Sequence, residues 1–344
     1  MRLRPASMIA RASLPILTRL DPEFAHDLGL AGLRCLAPVL PAHRAADALK
    51  VRCLGLEFAN PVGLAAGFDK NGDYVDALGA VGFGHIELGT VTPRPQAGNP
   101  KPRMFRIPEA RALINRMGFN NKGVDHLAER LAHSRYPGIR GISIGKNADT
   151  PIENAADDYV ACLRKVYAVA DYVAVNVSSP NTARLRELQA REGLDKIVGA
   201  LLEERDALEA RFGKRVPLLV KVAPDLEPAQ ISALGAALRA LQVDGVIATN
   251  TTTDTSLLDG APAAHERGGL SGAPLHRLSL RVISQLRAEL GASFPIIGVG
   301  GILSAADARA TLEAGANLIQ MYTGFAYRGP ELIDEILAAC QTFV

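Results

Sequence analysis

The chain of 344 residues carries 38 basic and 36 acidic side chains, a net charge of +2, with 48% hydrophobic and 22% charged residues. This is the composition of a globular protein with an ample core, and the near-neutral charge without an aromatic-rich basic patch excludes nucleic acid as a partner. Cys35, Cys53, Cys162 and Cys340 stand far apart with no CxxC or Cys/His ligand spacing, so the sequence implies neither a disulfide framework nor a metal site, only thiols in a reducing compartment.

No stretch reaches the roughly 20 apolar residues needed to span a bilayer. Arg2, Arg4, Arg11 and Arg19 precede the first acid, Asp21, with Leu14, Ile16, Leu17 and Leu20 among them. Arg11 interrupts the apolar region and no small-residue cleavage pattern follows, which argues against a secretory signal; a mitochondrial transit peptide shares this composition. Residues 13–40 read as two short helices. Asp21 is the N-cap of the second, with Pro22 in its first turn. Phe24, Leu28, Leu30, Leu33 and Leu36 supply its apolar face, and Pro38 and Pro41 stop it. Such a pair either packs on the main domain or lies in a membrane interface.

From Asn60 onward strands and helices alternate. The strands are 62–66, 84–89, 141–146, 172–177, 216–222, 245–250, 295–299 and 317–322; helical patterns cover 74–80, 157–168, 194–212, 228–241, 277–290 and 305–314. Eight apolar strands separated by helices predict an α/β protein, a closed (β/α)8 TIM barrel. Residues 93–121 hold two strand-like runs, PRMFRI and ALIN, separated by Pro108 and Glu109, and predict a β-hairpin insertion at the active end. No GxGxxG follows the first strand, which argues against a doubly wound dinucleotide fold.

Chemistry gathers where strands end. The run YVAVNVSSPN at 172–181 turns from β-branched residues into two serines, a proline and an asparagine, leaving the Asn176 amide at the strand end and the Ser179 hydroxyl on the loop. Gly300-Gly301 and Thr323-Gly324 follow the last two strands, where barrels commonly bind phosphate, and Ser304 suits the N-cap of the next helix. Lys70, Asn147 and Asn250 fall at other strand ends. Lys221 stands inside LLVKV, where a buried cation is costly unless something compensates it. Either it makes an ion pair within the barrel, or it faces a flavin ring or an enolate.

Together these stretches resemble the dihydroorotate dehydrogenases, in particular their class 2, quinone-reducing branch. The resemblance is carried by GLAAGFDKNG (63–72), GTVTPRPQAGNPKPRMFR (89–106), INRMGFNN (114–121), GKNADTP (145–151), NVSSPNT (176–182), VKVAPDL (220–226), ATNTT (248–252), GGLSG (268–272), GVGGI (298–302) and YTGFAYRGP (322–330), in order along nearly the whole chain. LDPEFAHDL at 20–28 resembles the helical extension of class 2. The resemblance implies oxidation of dihydroorotate to orotate, with FMN as first acceptor and a quinone as the last, in pyrimidine biosynthesis. It implies that Ser179 is the base that removes the C5 proton, where class 1 enzymes carry cysteine, and that Thr182 gives that proton an outlet.

For FMN the matching positions are Ala66, Gly67, Phe68, Asp69, Lys70, Thr90, Asn147, Asn176, Lys221, Thr249, Gly272, Gly301, Tyr322 and Thr323. For the substrate they are Lys70, Asn115, Arg116, Met117, Gly118, Phe119, Asn176, Asn181, Asn250 and Thr251, with Lys70 on the carboxylate. His26, Arg106 and Tyr322 are candidates for the polar inner end of a quinone doorway. The expected organisation is a membrane-associating, quinone-access segment at 1–45 and an FMN-binding barrel at 46–344. The protein is expected as a monomer, peripheral to the cytoplasmic face of a bacterial inner membrane, with the mitochondrial inner membrane as the alternative. The competing readings are another FMN barrel dehydrogenase using fumarate or NAD, and a barrel that binds a phosphorylated ligand without redox chemistry. Ser179 in place of cysteine, the helical extension and the absence of cysteine clusters argue against the first.

Overall fold

Short runs rich in Val, Ile and Leu cannot leave either face in water, so they pair side by side under a coat of helices. A computed structural model describes residues 4–40, 47–189, 191–258, 260–261 and 263–341. Its strands are β1 (Val51–Cys53), β2 (Leu56–Phe58), β3 (Val62–Leu64), β4 (His85–Val91), β5 (Met104–Ile107), β6 (Ala112–Asn115), β7 (Ile139–Ile144), β8 (Tyr172–Asn176), β9 (Leu218–Val222), β10 (Gly245–Ala248), β11 (Gly269–Gly272), β12 (Ile296–Val299) and β13 (Leu318–Met321). Eight of them close into a barrel in the order β3-β4-β7-β8-β9-β10-β12-β13, each parallel to its neighbours. These are the eight strands expected from the sequence, and the fold is a (β/α)8 barrel.

The hairpin insertion is present as β5 and β6, but it is completed by β11, which pairs antiparallel with β6 from the far side of the chain. A second hairpin, β1–β2, has no counterpart among the strands expected from the sequence. Its Cys53 and Phe58 share an apolar cluster with the barrel residues Leu219, Ile247 and Ile297, so it closes the amino-terminal end of the barrel. Helices Val124–Ala132, Thr323–Arg328 and Pro330–Cys340 also went unforeseen.

The amino-terminal pair is helix α1 (Pro5–Leu17) and helix α2 (Pro22–Leu36). Helix α1 starts at Pro5 rather than near residue 13, because Pro5 suits a first turn and no breaker follows before Pro15. Asp21 caps α2 as expected, its carboxylate accepting the N–H groups of Glu23 and Phe24. Arg4 pairs with Asp334 of the helix Pro330–Cys340, and the Ser7 hydroxyl donates to the same carboxylate at 2.6 Å. Helix α2 is held by Glu23, which meets the buried Arg103 at 2.7 Å and Lys101 at 3.3 Å. Pro41, and the boundary expected at 45/46, lie outside the described residues.

Candidate active site

A cavity of about 1070 Å³, its mouth included, opens at the carboxyl ends of the barrel strands under the β5–β6–β11 sheet. Its lining brings together Ala66, Gly67, Lys70, Thr90, Asn115, Met117, Gly118, Phe119, Asn176, Ser179, Asn181, Lys221, Thr249, Asn250, Thr251, Gly272, Gly301, Tyr322 and Thr323. These residues are dispersed over most of the chain, and the barrel collects them because each follows or ends a strand.

Amides and hydroxyls at the strand ends hold one another in place. Asn176 Nδ2 donates to Thr90 Oγ1 at 2.8 Å, and Thr90 Oγ1 meets Ser143 Oγ at 2.8 Å. Asn250 Nδ2 donates to Ser178 Oγ at 3.0 Å and to Asn176 Oδ1 at 3.3 Å. Asn181 Nδ2 donates to Asn115 Oδ1 at 3.1 Å, joining the loop after β8 to the hairpin. Ser179, only 6% exposed, accepts the N–H of Asn181 at 3.3 Å. Thr182 is buried nearby but makes no direct hydrogen bond to Ser179, so the two hydroxyls do not form a direct relay.

Two lysines supply the positive charge of the lining. Lys70 Nζ donates to the Gly67 carbonyl at 2.9 Å, and burial brings its ammonium down to about 8, with Glu23 opposing the fall. Lys221 meets Glu87 at 3.1 Å across the barrel, so it both lines the cavity and makes the ion pair that its setting in an apolar strand demanded. At the other end, Gly300 and Gly301 face Gly272, Ser271 and Thr323, the Thr323 hydroxyl donating to Ser271 at 2.8 Å. Gly301 has φ +70°, and a Cβ there would meet the His276 backbone at 2.7 Å, so the loop is bare by necessity. Ser304 caps the following helix, accepting the Asp307 N–H.

Four expected site residues do not line this cavity. The Asp69 carboxylate accepts the N–H groups of Asn71, Asp73 and Tyr74 and so braces its own loop; burial raises its pKa against those bonds. Asn147 is buried, but its Nδ2 is spent on Thr92, Arg94 and Gln96 and its Oδ1 on the Arg94 N–H, all in the loop after β4. Arg116 pairs with Glu266 at 2.6 Å, lies over the Phe105 ring and lines a shallow cleft outside. Phe68 turns the other way, into a second cavity.

That second cavity, about 1540 Å³ with its mouth, lies between α1, α2 and the barrel. His26, Arg106 and Tyr322 all line it. His26 Nε2–H donates to the Phe68 carbonyl at 2.8 Å, and burial, reinforced by the Lys70 charge, brings the imidazole down to about 4, so the ring is neutral at ordinary pH. Arg106 donates to the carbonyls of Thr18 and Leu20, which ties the α1–α2 turn to the hairpin. Met104, Leu113 and Tyr322 line both cavities and form the wall between them.

Among the polar residues, Gln320 and Ser271 of the lining and Glu87 beneath it were not expected from the sequence. Glu87 and Gln320 are each a polar side chain inside an apolar strand, the signal that singled out Lys221. Ser271 lies in GGLSG, where the resemblance pointed only to the glycine beside it.

A closed parallel barrel with hydroxyls, amides and lysines converging at the carboxyl ends of its strands is a TIM-barrel enzyme. The family model described as dihydroorotate dehydrogenase matches residues 48–343. A dihydroorotate dehydrogenase (quinone) of Aromatoleum aromaticum is 53% identical, covering 98% of this chain and 96% of the relative. One of Stenotrophomonas maltophilia is 56% identical over 94% of each chain. Two solved structures of the Eimeria tenella DHODH are similar. The complex with ferulenol has TM-score 0.87 and 37% identity over 94% of this chain and 91% of that one; the ligand-free form has TM-score 0.86 and 39% identity over 94% and 95%. The chain belongs to the dihydroorotate dehydrogenase family.

Proposed function

We propose that this protein oxidises dihydroorotate to orotate, a step of pyrimidine biosynthesis, and delivers the electrons through FMN to a membrane quinone. The observation that carries this reading is the pair of cavities with a common wall at Met104, Leu113 and Tyr322: one inside the barrel with amides, hydroxyls and two lysines in its lining, one under the helix pair lined mostly by aliphatic side chains.

The first cavity fits FMN. Gln320 Oε1 and Thr251 Oγ1 belong to lining residues, are buried and have no hydrogen-bond partner, so the site awaits a polar ligand. Gly272, Gly300, Gly301, Ser271 and Thr323 would hold the phosphate by backbone N–H groups and hydroxyls. Thr90, Asn176, Lys221 and Gln320 would take the ring. When bound, FMN supplies the two-electron acceptor for the hydrogen that leaves the substrate. Ser179 Oγ would take the C5 proton as its own hydroxyl proton leaves toward Thr182 through a bridging water, the C6 hydrogen would leave as hydride for the flavin, Lys70 would pair with the substrate carboxylate, and Asn115, Asn176, Asn181 and Asn250 would fix the ring against the base. The burial of Ser179, only 6% exposed, keeps bulk water from that transfer.

The second cavity suits the apolar quinone. Eight large hydrophobic residues are exposed among those described, and Met8, Ile9, Ile16, Phe24, Leu28 and Val39 of these lie on α1, α2 or the turn after them. Arg11 and Arg19 are exposed beside them. No helix among the described residues is long and apolar enough to cross a membrane. A surface helix pair that inserts its apolar side while its arginines meet anionic headgroups explains both facts, and makes this a peripheral membrane protein.

The purified protein is expected to be yellow and to release FMN on denaturation. With dihydroorotate it is expected to reduce a ubiquinone analogue and to leave fumarate and NAD untouched. A colourless preparation, or reduction of fumarate or NAD at the quinone rate, overturns the reading.

A further inference from the structure

Beneath the first cavity lies a closed polar network inside the barrel. Glu87 of β4, Tyr172 of β8 and Gln320 of β13 are fully buried, and Lys221 of β9 is 5% exposed. The Glu87 carboxylate accepts three groups: Lys221 Nζ on Oε1 at 3.1 Å, and Tyr172 Oη at 3.1 Å and Gln320 Nε2 at 2.9 Å on Oε2. Gln320 Nε2 also donates to Tyr172 Oη at 3.1 Å. Lys221 and Gln320 line the cavity, whereas Glu87 and Tyr172 do not.

The network has one consistent set of roles. The Glu87 carboxylate accepts, and Tyr172, whose O–H donates to it, can only accept from Gln320. The amide nitrogen of Gln320 must therefore point inward, which leaves Oε1 at the cavity floor, buried and without a partner. Tyr172 stays protonated, because burial and then the Glu87 charge push its pKa up. Glu87 thus fixes two things it does not itself present. It holds the Lys221 ammonium in one place and weakens the field of that cation by opposing it, and it turns Gln320 so that its amide oxygen is left free to accept.

We propose that Glu87 is a positioning residue that sets the electron affinity of the flavin, acting through Lys221 and Gln320. The proposal rests on the FMN reading above. Negative charge accumulates on the flavin as it is reduced, so a nearby cation raises its midpoint potential and the counterion behind that cation lowers it.

The test is the midpoint potential of the bound flavin in the holoenzyme, measured from pH 5.5 to 9.5. In Glu87→Gln, where no carboxylate opposes the Lys221 ammonium, the midpoint is expected above wild type at the acid end of the range; Glu87→Gln/Lys221→Met removes both charges. The double variant replaces the buried pair by neutral groups of similar volume and so protects against loss of folding. At pH 9 it should also show a higher midpoint than Lys221→Met alone, which retains the carboxylate. Coincident plots for wild type and Glu87→Gln, or equal midpoints for the single and double Lys221 variants, overturn the proposal. A wild-type protein that binds no flavin instead overturns the FMN reading, so the two failures are distinct.

Discussion

The barrel interior and the amino-terminal helix pair hold their polar groups in opposite ways. Around the first cavity most amides and hydroxyls are tied to another side chain, from Thr90–Ser143 to Asn181–Asn115, at the ends of strands that are themselves buried. The helix pair leaves Phe24 and Leu28 in the open and is held by a few anchors: Arg4–Asp334, Glu23–Arg103, Arg106 to the α1–α2 turn, and His26 to Phe68. Preorganised contacts suit proton removal, where misplacement of about 1 Å is costly. A lightly tethered apolar cover suits a ligand that arrives from a membrane.

The sharpest break between the regions is a substitution at the base. Ser179→Ala is expected to slow flavin bleaching by dihydroorotate by orders of magnitude in a single-turnover experiment, with FMN content and vesicle binding unchanged. Ser179→Cys should retain part of the rate with a shifted pH profile, since a thiol ionises more readily than a hydroxyl. Bleaching at the wild-type rate in Ser179→Ala would remove Ser179 from the chemistry.

Removal of residues 1–40 should do the converse. Dihydroorotate should still bleach the flavin, while turnover with a long-tailed quinone and binding to anionic vesicles collapse. Equal quinone turnover in the truncated protein would make the helices mere packing. Glu23→Gln is a milder cut at the same boundary. It leaves the buried Arg103 without its carboxylate and should loosen α2 by about 2 kcal/mol, read as a raised KM for the quinone with flavin bleaching intact.

The effect expected to touch the two cavities least lies at the closed end of the barrel. His85 is fully buried against Phe58, and neither ring nitrogen has a partner. Burial brings its pKa down from 6.5 to about 3. Between those values the unfolded chain binds a proton that the folded chain does not, so stability is complete above pH 6.5 and declines as pH falls toward 3, by at most about 1.4 kcal/mol per pH unit. His26 acts in the same direction. His85→Leu should flatten the acid side of a Tm-against-pH curve and leave both cavities unaffected; an unchanged curve would mean that the imidazole is solvated in solution.

Much of the site could be read from the chain because a barrel gives sequence position a spatial meaning. A polar residue that ends an apolar strand lies at one face, so the periodicity of the strands is enough to place Asn176, Ser179 and Asn250 there. The same rule failed at Asn147, which follows β7 closely enough to belong to the site yet spends its amide on the loop after β4. Nothing local distinguishes an amide turned inward from one turned aside.

The sequence by itself determined the alternation of eight strands with helices, the Asp21 and Ser304 caps and the hydroxyl on the loop after β8, because these follow from short-range periodicity and turn chemistry. Tertiary structure alone decided which distant groups meet. It paired Lys221 with Glu87, brought β11 to β6, tied Arg4 to Asp334, and made Tyr322 a wall between two cavities. Each of those contacts joins residues far apart in the chain, and their energy depends on a shared burial that no local pattern records.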